Sequence, residues 1–419
     1  MQSKNRVVIT GVGVLSPFGD GKAAFYNGLK SGRSATGPLT LFHDSELESR
    51  VVGEVPGFDP SRYVAAKDLK RVPRVVPMAI GAAREAFSSA KIDVENLTRE
   101  ERQKIGVVIG TGGGGIEFAE KQYEEFFGKN SRRVTPYSVS SSFVGMLSSE
   151  VSIALNLHGI SHVISTGCTS STDAIGYAYQ LIRSGEEETL LTGGAEACIT
   201  RGLLHGFCLM GVASTHYNET PEKASRPFDK NRDGFVLAEG AWMFVLESLE
   251  KAQNRGAKIY GEIIGYGSTC DAYHRVMVKA DGIEPARAMK LAIDRAGLSP
   301  DRIQCIQLHG TSTQMNDSVE TKAVKILFSG NAKNIRTTAL KSMIGHPQGA
   351  CGAASVAASL FTLENQWIPP TVNYENPDPE CDLDYTPNQG VNTEVENILC
   401  NTIAFGSKNS ALVLRRWKN

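Results

Sequence analysis

Short apolar runs ending in small residues alternate along this chain with longer, Ala-rich stretches of helical period, and this alternation narrows the possible folds more than any other feature. Residues 7–10, 105–110, 162–165 and 189–192 read as buried strands that each lead towards a Gly-containing turn, and residues 77–90 and 172–183 read as helices. The second half repeats the rhythm, with strands expected at 257–265, 303–308 and 398–404 and helices at 285–296, 319–327 and 350–363. Buried strands joined by helical crossovers imply α/β architecture, with sheets covered by helices on both faces. A small-residue turn opens a helix near the middle of each half, STGCTSSTDAIGYAYQ at 165–180 and GHPQGACGAASVAASL at 345–360, which hints at internal duplication. The halves are expected at 1–255 and 256–419, with the charged segment 247–258 as their junction.

A length of 419 residues accommodates two or three domains, or two halves around one large core. The net charge of −1 gives no electrostatic support for nucleic acid or a membrane as principal partner. No apolar run has the length of a membrane span, and the Gly-rich N-terminal stretch reads as strand and turn rather than as a signal peptide. The eight cysteines include no C-x-x-C pair, so neither a zinc pattern nor a disulfide frame is expected. Reduced, buried thiols and a cytoplasmic location are the corresponding expectation.

Two motifs invite a ligand and fail on inspection. Gly110-Thr-Gly112-Gly-Gly-Gly115 has the spacing G-x-G-x-x-G, but no acidic residue stands about 20 positions further on to hold a ribose, so it reads as a turn beside a pocket. Asp229-Lys-Asn231-Arg-Asp233-Gly234 opens like a calcium loop. Its twelfth position is Gly240, not the bidentate Glu that such a loop needs, so it reads as a charged turn ordering its own backbone.

Cys168 stands between Gly167 and Thr169, after an apolar run and before a helical pattern. A helix N-terminus favours a thiolate through its dipole and its free N–H groups, and the small neighbours leave room for an acyl group. His309 ends the run CIQLHGTSTQMND, where α/β proteins place functional groups, and His346 lies in the Gly-flanked turn LKSMIGHPQGACG. Each residue alone has a structural explanation. Together they point to nucleophilic catalysis.

STGCTSS, HGTSTQMND, LKSMIGHPQGA and FGSKN, in that order, resemble the β-ketoacyl-acyl carrier protein synthases. RVVITGVGVLSPFG, RPFDKNRDGFVLAEGA and PTVNYENPDPECDLDYTPN extend the resemblance across nearly the whole chain, to the type II elongating synthases of fatty-acid synthesis and the ketosynthases of type II polyketide systems. The resemblance implies a thiolase-like, five-layered α-β-α-β-α fold from two similar halves, usually dimeric. It places the nucleophile on Cys168, the paired histidines on His309 and His346 and the family's lysine on Lys341, with an oxyanion hole from the N–H groups of Cys168 and Phe405. Thr311 and Thr313 match hydroxyls that hold a phosphopantetheine arm. The implied reaction is decarboxylative Claisen condensation on acyl carrier protein, in fatty-acid or polyketide and polyene synthesis, with no metal or other cofactor.

The sequence also departs from the family. The usual F-G-G-T-N is Phe405-Gly-Ser407-Lys408-Asn409, which is expected to put bulk and charge beside the nucleophile. Ser355 replaces a frequent Glu, leaving Asp317 and Glu320 as partners for Lys341. Gly-Cys-Thr at 167–169 resembles polyketide ketosynthases more than the Ala-Cys-Ser of fatty-acid enzymes. Gly113 stands where a bulky acyl gate is usual, implying a deeper pocket with Phe207 in its lining. Lys67, Lys70, Arg71 and Arg74 match a docking patch for the acidic carrier protein. Thiolases are disfavoured because neither Cys381 nor Cys400 has the Gly-rich setting of their second cysteine. A chain-length-setting partner subunit would lack the nucleophile, whereas both a homodimer and a heterodimer with a related subunit stay open.

Overall fold

The computed structural model describes residues 5–129, 131 and 133–418. The first half contributes β1 (Val7–Ser16), β2 (Ile105–Gly110), β3 (Ser161–Ile164), β4 (Thr189–Glu196) and β5 (Gly240–Ser248). The second contributes β6 (Gly261–Cys270), β7 (Cys305–Gln307), β8 (Arg336–Thr338), β9 (Asn397–Ala404) and β10 (Lys408–Arg415). The spatial order is β3-β2-β4-β5-β1 and then β6-β10-β9-β7-β8, so each strand of one half has its counterpart in the other, mirrored about the β1–β6 seam. In both halves the second strand pairs in parallel with the third and fourth, and the fifth runs antiparallel to its neighbours. The seam is short, pairing Val7, Val8 and Ile9 with Ile263, Glu262 and Gly261.

The helices follow the same repeat: α1 (Val75–Ser89), α2 (Met146–Leu155) and α3 (Ser170–Ser184), then α4 (Ile283–Arg295), α5 (Gln314–Phe328) and α6 (Cys351–Asn365). Helices α1 and α2 pack on the outer side of the first sheet, α4 packs on the second with α5 against it, and α3 packs against α6 between them. This is the thiolase-like layering. Residues Cys351 to Leu363 of α6 are buried all round, as an apolar helix at the centre of a large core must be. Among the described residues no helix is long and apolar enough to cross a membrane.

A G-x-G in the first strand of each half sets how closely the outer helices sit. A methyl at Gly13 would stand 1.9 Å from the Ala82 carbonyl oxygen of α1, and one at Gly265 would stand 2.0 Å from that of Ala292 in α4. Only glycine permits such an approach. Both strands also carry a register shift here, between Ile9 and Gly11 and between Ile263 and Gly265.

Between the halves, Glu247 is a buried part of β5, bonded by the Arg255 guanidinium, and Leu249–Asn254 is a short helix that delays β6 to Gly261, where the sequence pattern starts a strand at 257. The apolar pattern alone does not reveal β8, β10 or α2, because β8 has three residues and the other two mix polar and apolar positions.

Candidate active site

The turn from β3 into α3 presents Cys168. Gly167 adopts φ +71°, and the Ser170 hydroxyl bonds both the Thr166 N–H (2.9 Å) and the Gly167 carbonyl (2.5 Å), locking the turn. His309 lies two residues past β7. His346 is clamped by main chain: its N–H donates to the Val236 carbonyl at 2.7 Å and its carbonyl accepts from the Ala238 N–H at 3.1 Å. Sulfur and imidazoles converge, with Sγ of Cys168 and ring nitrogens of His309 and His346 all within 4.8 Å of one another. The two rings meet edge to face at 5.3 Å, and Phe235 backs His346 at 5.4 Å. Among the described residues this is the group of three with donors near enough to hold a metal ion.

Burial dominates the electrostatics. It pushes the Cys168 thiol up to about 12, although Lys341 and the Phe405 N–H pull the other way. The thiolate expected from the helix terminus is therefore not the resting form, because desolvation outweighs the dipole. Burial, aided by Lys341, holds both imidazoles well below the usual histidine range, so both are neutral near pH 7. The Lys341 ammonium donates to the His309 carbonyl at 2.5 Å and faces Nδ1 of the same residue at 3.2 Å. An ammonium has no acceptor to offer, so the His309 proton sits on Nε2, the nitrogen left free to face the site.

The charges around this group differ from expectation. Neither Asp317 nor Glu320 pairs with Lys341. Glu320 instead accepts from the N–H groups of His309 (2.7 Å) and Gly310 (2.8 Å) and from Asn401 (2.6 Å), and burial raises its carboxyl to about 7. Asp317 holds the N–H groups of Phe228 and Thr311 and faces Arg232 at 3.5 Å. Both carboxylates brace the His309–Thr313 loop. Within it, the Thr311 and Thr313 hydroxyls bond each other at 2.9 Å.

Sequence reasoning missed Glu196. Fully buried at the end of β4, it accepts from the N–H groups of Gly112 (2.7 Å), Gly113 (3.1 Å) and Gly349 (3.0 Å) and from the Thr111 hydroxyl (3.2 Å). It thus ties the glycine loop of the first half to the turn carrying His346 in the second. Two of the N–H groups that a phosphate would take from the G-x-G-x-x-G loop are already engaged. The Asp229 loop orders more than its own backbone: its carboxylate bonds Arg226 and the Asn231 N–H locally and, across the fold, the N–H groups of Glu375 and Asn376.

The 405–409 loop also corrects expectation. Ser407 turns away from the nucleophile, accepting from the N–H groups of Tyr273 and His274 at 3.3 Å each and donating to the His274 carbonyl, while Lys408 enters the β10 ladder opposite Ala404 and Cys270. The Ser407 hydroxyl is thus engaged by the 273–274 backbone. Ser355 is buried within α6 and its carbonyl accepts from Ser359.

Residues 4–252 match the model of the β-ketoacyl synthase N-terminal domain, and residues 260–375 match that of the C-terminal domain. The chain belongs to the β-ketoacyl synthase family. The 3-oxoacyl-[acyl-carrier-protein] synthase 2 of Synechocystis sp. is 39% identical over 415 residues, 99% of each chain, and that of Staphylococcus aureus is 38% identical over the whole of both. Two solved structures superpose with TM-scores of 0.90 over 99% of this chain and 100% of theirs. One is a type II polyketide acyl-carrier protein in complex with its ketosynthase bound to a hexaketide, at 31% identity, and the other the ishigamide ketosynthase/chain length factor, at 34%.

In this β-ketoacyl synthase, Phe207 and Phe405 pack on one apolar cluster with Ile116, Cys198 and Phe235. A methyl on Gly113 would point into it, 3.0 Å from Ile116 and 3.5 Å from Cys198. The basic segment is less uniform than its sequence. Lys67 and Lys70 are exposed, whereas Arg71 pairs with Asp68 at 2.8 Å and Arg74 makes a two-bond pair with buried Glu239 at 2.7 and 2.8 Å. Beside them opens a cavity of about 660 Å³ with both signs in its lining, including Lys70, Lys121, Arg201, Glu117 and Glu120.

Proposed function

We propose that the chain condenses acyl groups delivered on the phosphopantetheine arm of an acyl carrier protein, with Cys168 as nucleophile. The convergence of its sulfur with two neutral imidazoles within 4.8 Å carries the reading. In acyl transfer the Cys168 sulfur bonds to the acyl carbon, the carrier C–S bond breaks, and the thiol proton passes to the departing carrier sulfur. Because the resting thiol is protonated, proton loss accompanies attack. A malonyl-carrier then loses carbon dioxide, and the enolate oxygen is held by the Nε2–H of His309 and a ring N–H of His346. Its carbon attacks the acyl carbonyl, a C–C bond forms, and the C–S bond to Cys168 breaks as a 3-oxoacyl-carrier departs; the sulfur leaves as thiolate and takes one proton from solvent to restore the resting thiol. The tetrahedral oxygen sits on the N–H groups of Cys168 and Phe405, donors of a kind worth about 3–4 kcal/mol each. No step needs a metal or a further cofactor.

Lys67 and Lys70 are the carrier-docking charges on this reading, Thr311 and Thr313 receive the arm, and the cluster beside Gly113 and Phe207 takes the acyl chain. Eight unpaired cysteines support a reducing, cytoplasmic setting. Among the described residues β3 has no strand on its outer side, and α2 packed beside it exposes Ile153, which supports a dimer there, with itself or with a related subunit. A silent, chain-length-setting role is disfavoured because nucleophile, histidines and lysine are all in place. The test is intact mass after incubation with acyl-carrier donors. A gain equal to the acyl group, lost in Cys168→Ala, supports the reading; no gain in the unaltered protein refutes it.

A further inference from the structure

Gln348 faces the nucleophile and has no role in the scheme above. It is over nine-tenths buried, and its Oε1 lies 3.8 Å from the Cys168 sulfur, accepting the thiol proton. Its Nε2 is buried without a hydrogen-bond partner among the described residues. The backbone is strained as well, with φ +35°, a region where a residue bearing a Cβ is held only by its surroundings. Those surroundings are plain. The Gly349 N–H is bonded to Glu196, the Ala350 N–H to the Pro347 carbonyl, and a methyl on Gly349 would stand 2.1 Å from the Gly112 nitrogen. The turn is wedged, which holds the backbone of Gln348 in place beside the sulfur.

A strained, buried amide with an unmet donor beside a reactive sulfur calls for an acceptor that arrives with the substrate. Amide bond lengths put Nε2 within about 6 Å of the sulfur, the range swept by the first few atoms of an acyl chain. Acylation also removes the S–H that Oε1 accepts, freeing the amide to turn its N–H groups towards the acyl group.

We infer that Gln348 determines specificity: its N–H donates to an oxygen on C3 of the acyl group held by Cys168, so the synthase prefers 3-oxoacyl chains to saturated chains of equal length. The inference rests on the acyl-transfer reading proposed above and narrows its substrate class. A saturated chain leaves the donor unpaired, and sites built around a hydrogen bond reject analogues that lack it. The acyl groups reaching Cys168 would then come from a previous condensation without intervening reduction of the ketone.

The test compares acetoacetyl- and butyryl-pantetheine, which differ at C3, by the rate of mass gain at Cys168. The ketone also activates its own thioester, so the informative quantity is the acetoacetyl/butyryl rate ratio, in unaltered protein against Gln348→Leu and Gln348→Met. The ratio is expected to fall about tenfold or more in both variants, through slower acetoacetyl transfer with butyryl transfer kept or raised. An unchanged ratio, or equal slowing of both donors, overturns the inference; the latter would assign the amide to thiol activation instead. If either variant fails to fold, the other carries the comparison. Should the unaltered protein gain mass from neither pantetheine donor nor their carrier-bound forms, the acyl-transfer reading itself falls.

Discussion

Replacing Lys341 by Met should separate the two halves of the reaction. The ammonium is buried, bonds the His309 carbonyl at 2.5 Å and faces Nδ1 at 3.2 Å. Methionine keeps the length and loses the donor. His309 is then free to carry its proton on Nδ1, leaving a lone pair where the enolate oxygen needs an N–H. Loss of one such preorganised donor costs about 10²–10³ in rate, or roughly 2.7–4 kcal/mol. Acyl transfer uses the Cys168 and Phe405 N–H groups instead and should change little. Lys341 does help to lower the Cys168 thiol, but it ranks behind burial among the influences there, so transfer should slow by a few-fold only.

The assay follows both steps on one sample: intact mass for loading of Cys168, and carbon dioxide release from malonyl-carrier after loading. Lys341 is also one of the groups holding His309 down, behind burial. Its removal lets the imidazole rise towards, though not to, its ordinary value of about 6.5, so the residual activity should fall on the acid side at a higher pH than in the unaltered protein. The reasoning fails if decarboxylation survives within a few-fold, or if loading collapses while decarboxylation persists. Equal loss of both steps with a lowered melting temperature would mean that Lys341 serves the fold and not the tautomer.

Other outcomes follow from the same coordinates. Because the Cys168 thiol lies near 12, its iodoacetamide alkylation should keep rising with pH to at least about pH 9, whereas a plateau near neutrality would mean a resting thiolate. Gly113→Ile would fill the cluster formed by Ile116, Cys198 and Phe207, and mass spectrometry of products should show shorter chains; unchanged chain length would remove this cluster as the acyl pocket. Charge reversal at Lys67 and Lys70 should raise the carrier KM several-fold and flatten its salt dependence. Arg74→Glu should instead lower the melting temperature, by stranding Glu239, with an expected cost of about 3 kcal/mol or more. Dialysis against a chelator should leave condensation intact, since the scheme asks for no metal; a loss restored by zinc would recast Cys168, His309 and His346 as ligands.

The convergent group was legible in the sequence because Cys168, His309 and His346 each stand where an apolar run meets a glycine, the positions at which α/β chains expose side chains. Glu196 was not legible. It ends the apolar run TLLTGGAE, and nothing local shows that its acceptors serve N–H groups from loops remote in sequence. The signal available was negative: an acid inside a buried strand has to find donors. Charge runs are opaque for the same reason. The sequence groups Arg74 with a docking patch and Glu247 with a charged junction, and nothing local shows that Arg74 pairs with buried Glu239 or that Glu247 is buried and paired with Arg255. The 405–409 loop shows the converse, since the positive φ at Gly406 and Ser407 that rotates the new hydroxyl away from the thiol is set by tertiary context, not by residue type.

Duplication explains why three residues so far apart in the chain can meet. The segment between β3 and α3 carries Cys168, and the corresponding, longer segment between β8 and α6 carries His346, so the two side chains come from matching connections of the two halves. His309 follows β7 as Thr111 follows β2, and there the repeat diverges: one side supplies an imidazole, the other the loop that binds Glu196. The two central helices approach closely enough that a methyl on Gly352 would stand 2.0 Å from the Thr172 hydroxyl oxygen, so the spacing between sulfur and imidazoles is fixed by backbone packing rather than by side-chain reach. A site built this way holds its catalytic groups rigidly while the residues just around them vary. Gln348 sits two residues from His346 and against the sulfur on this same frame, so exchanging its side chain alters what the thiol meets without moving the groups around it.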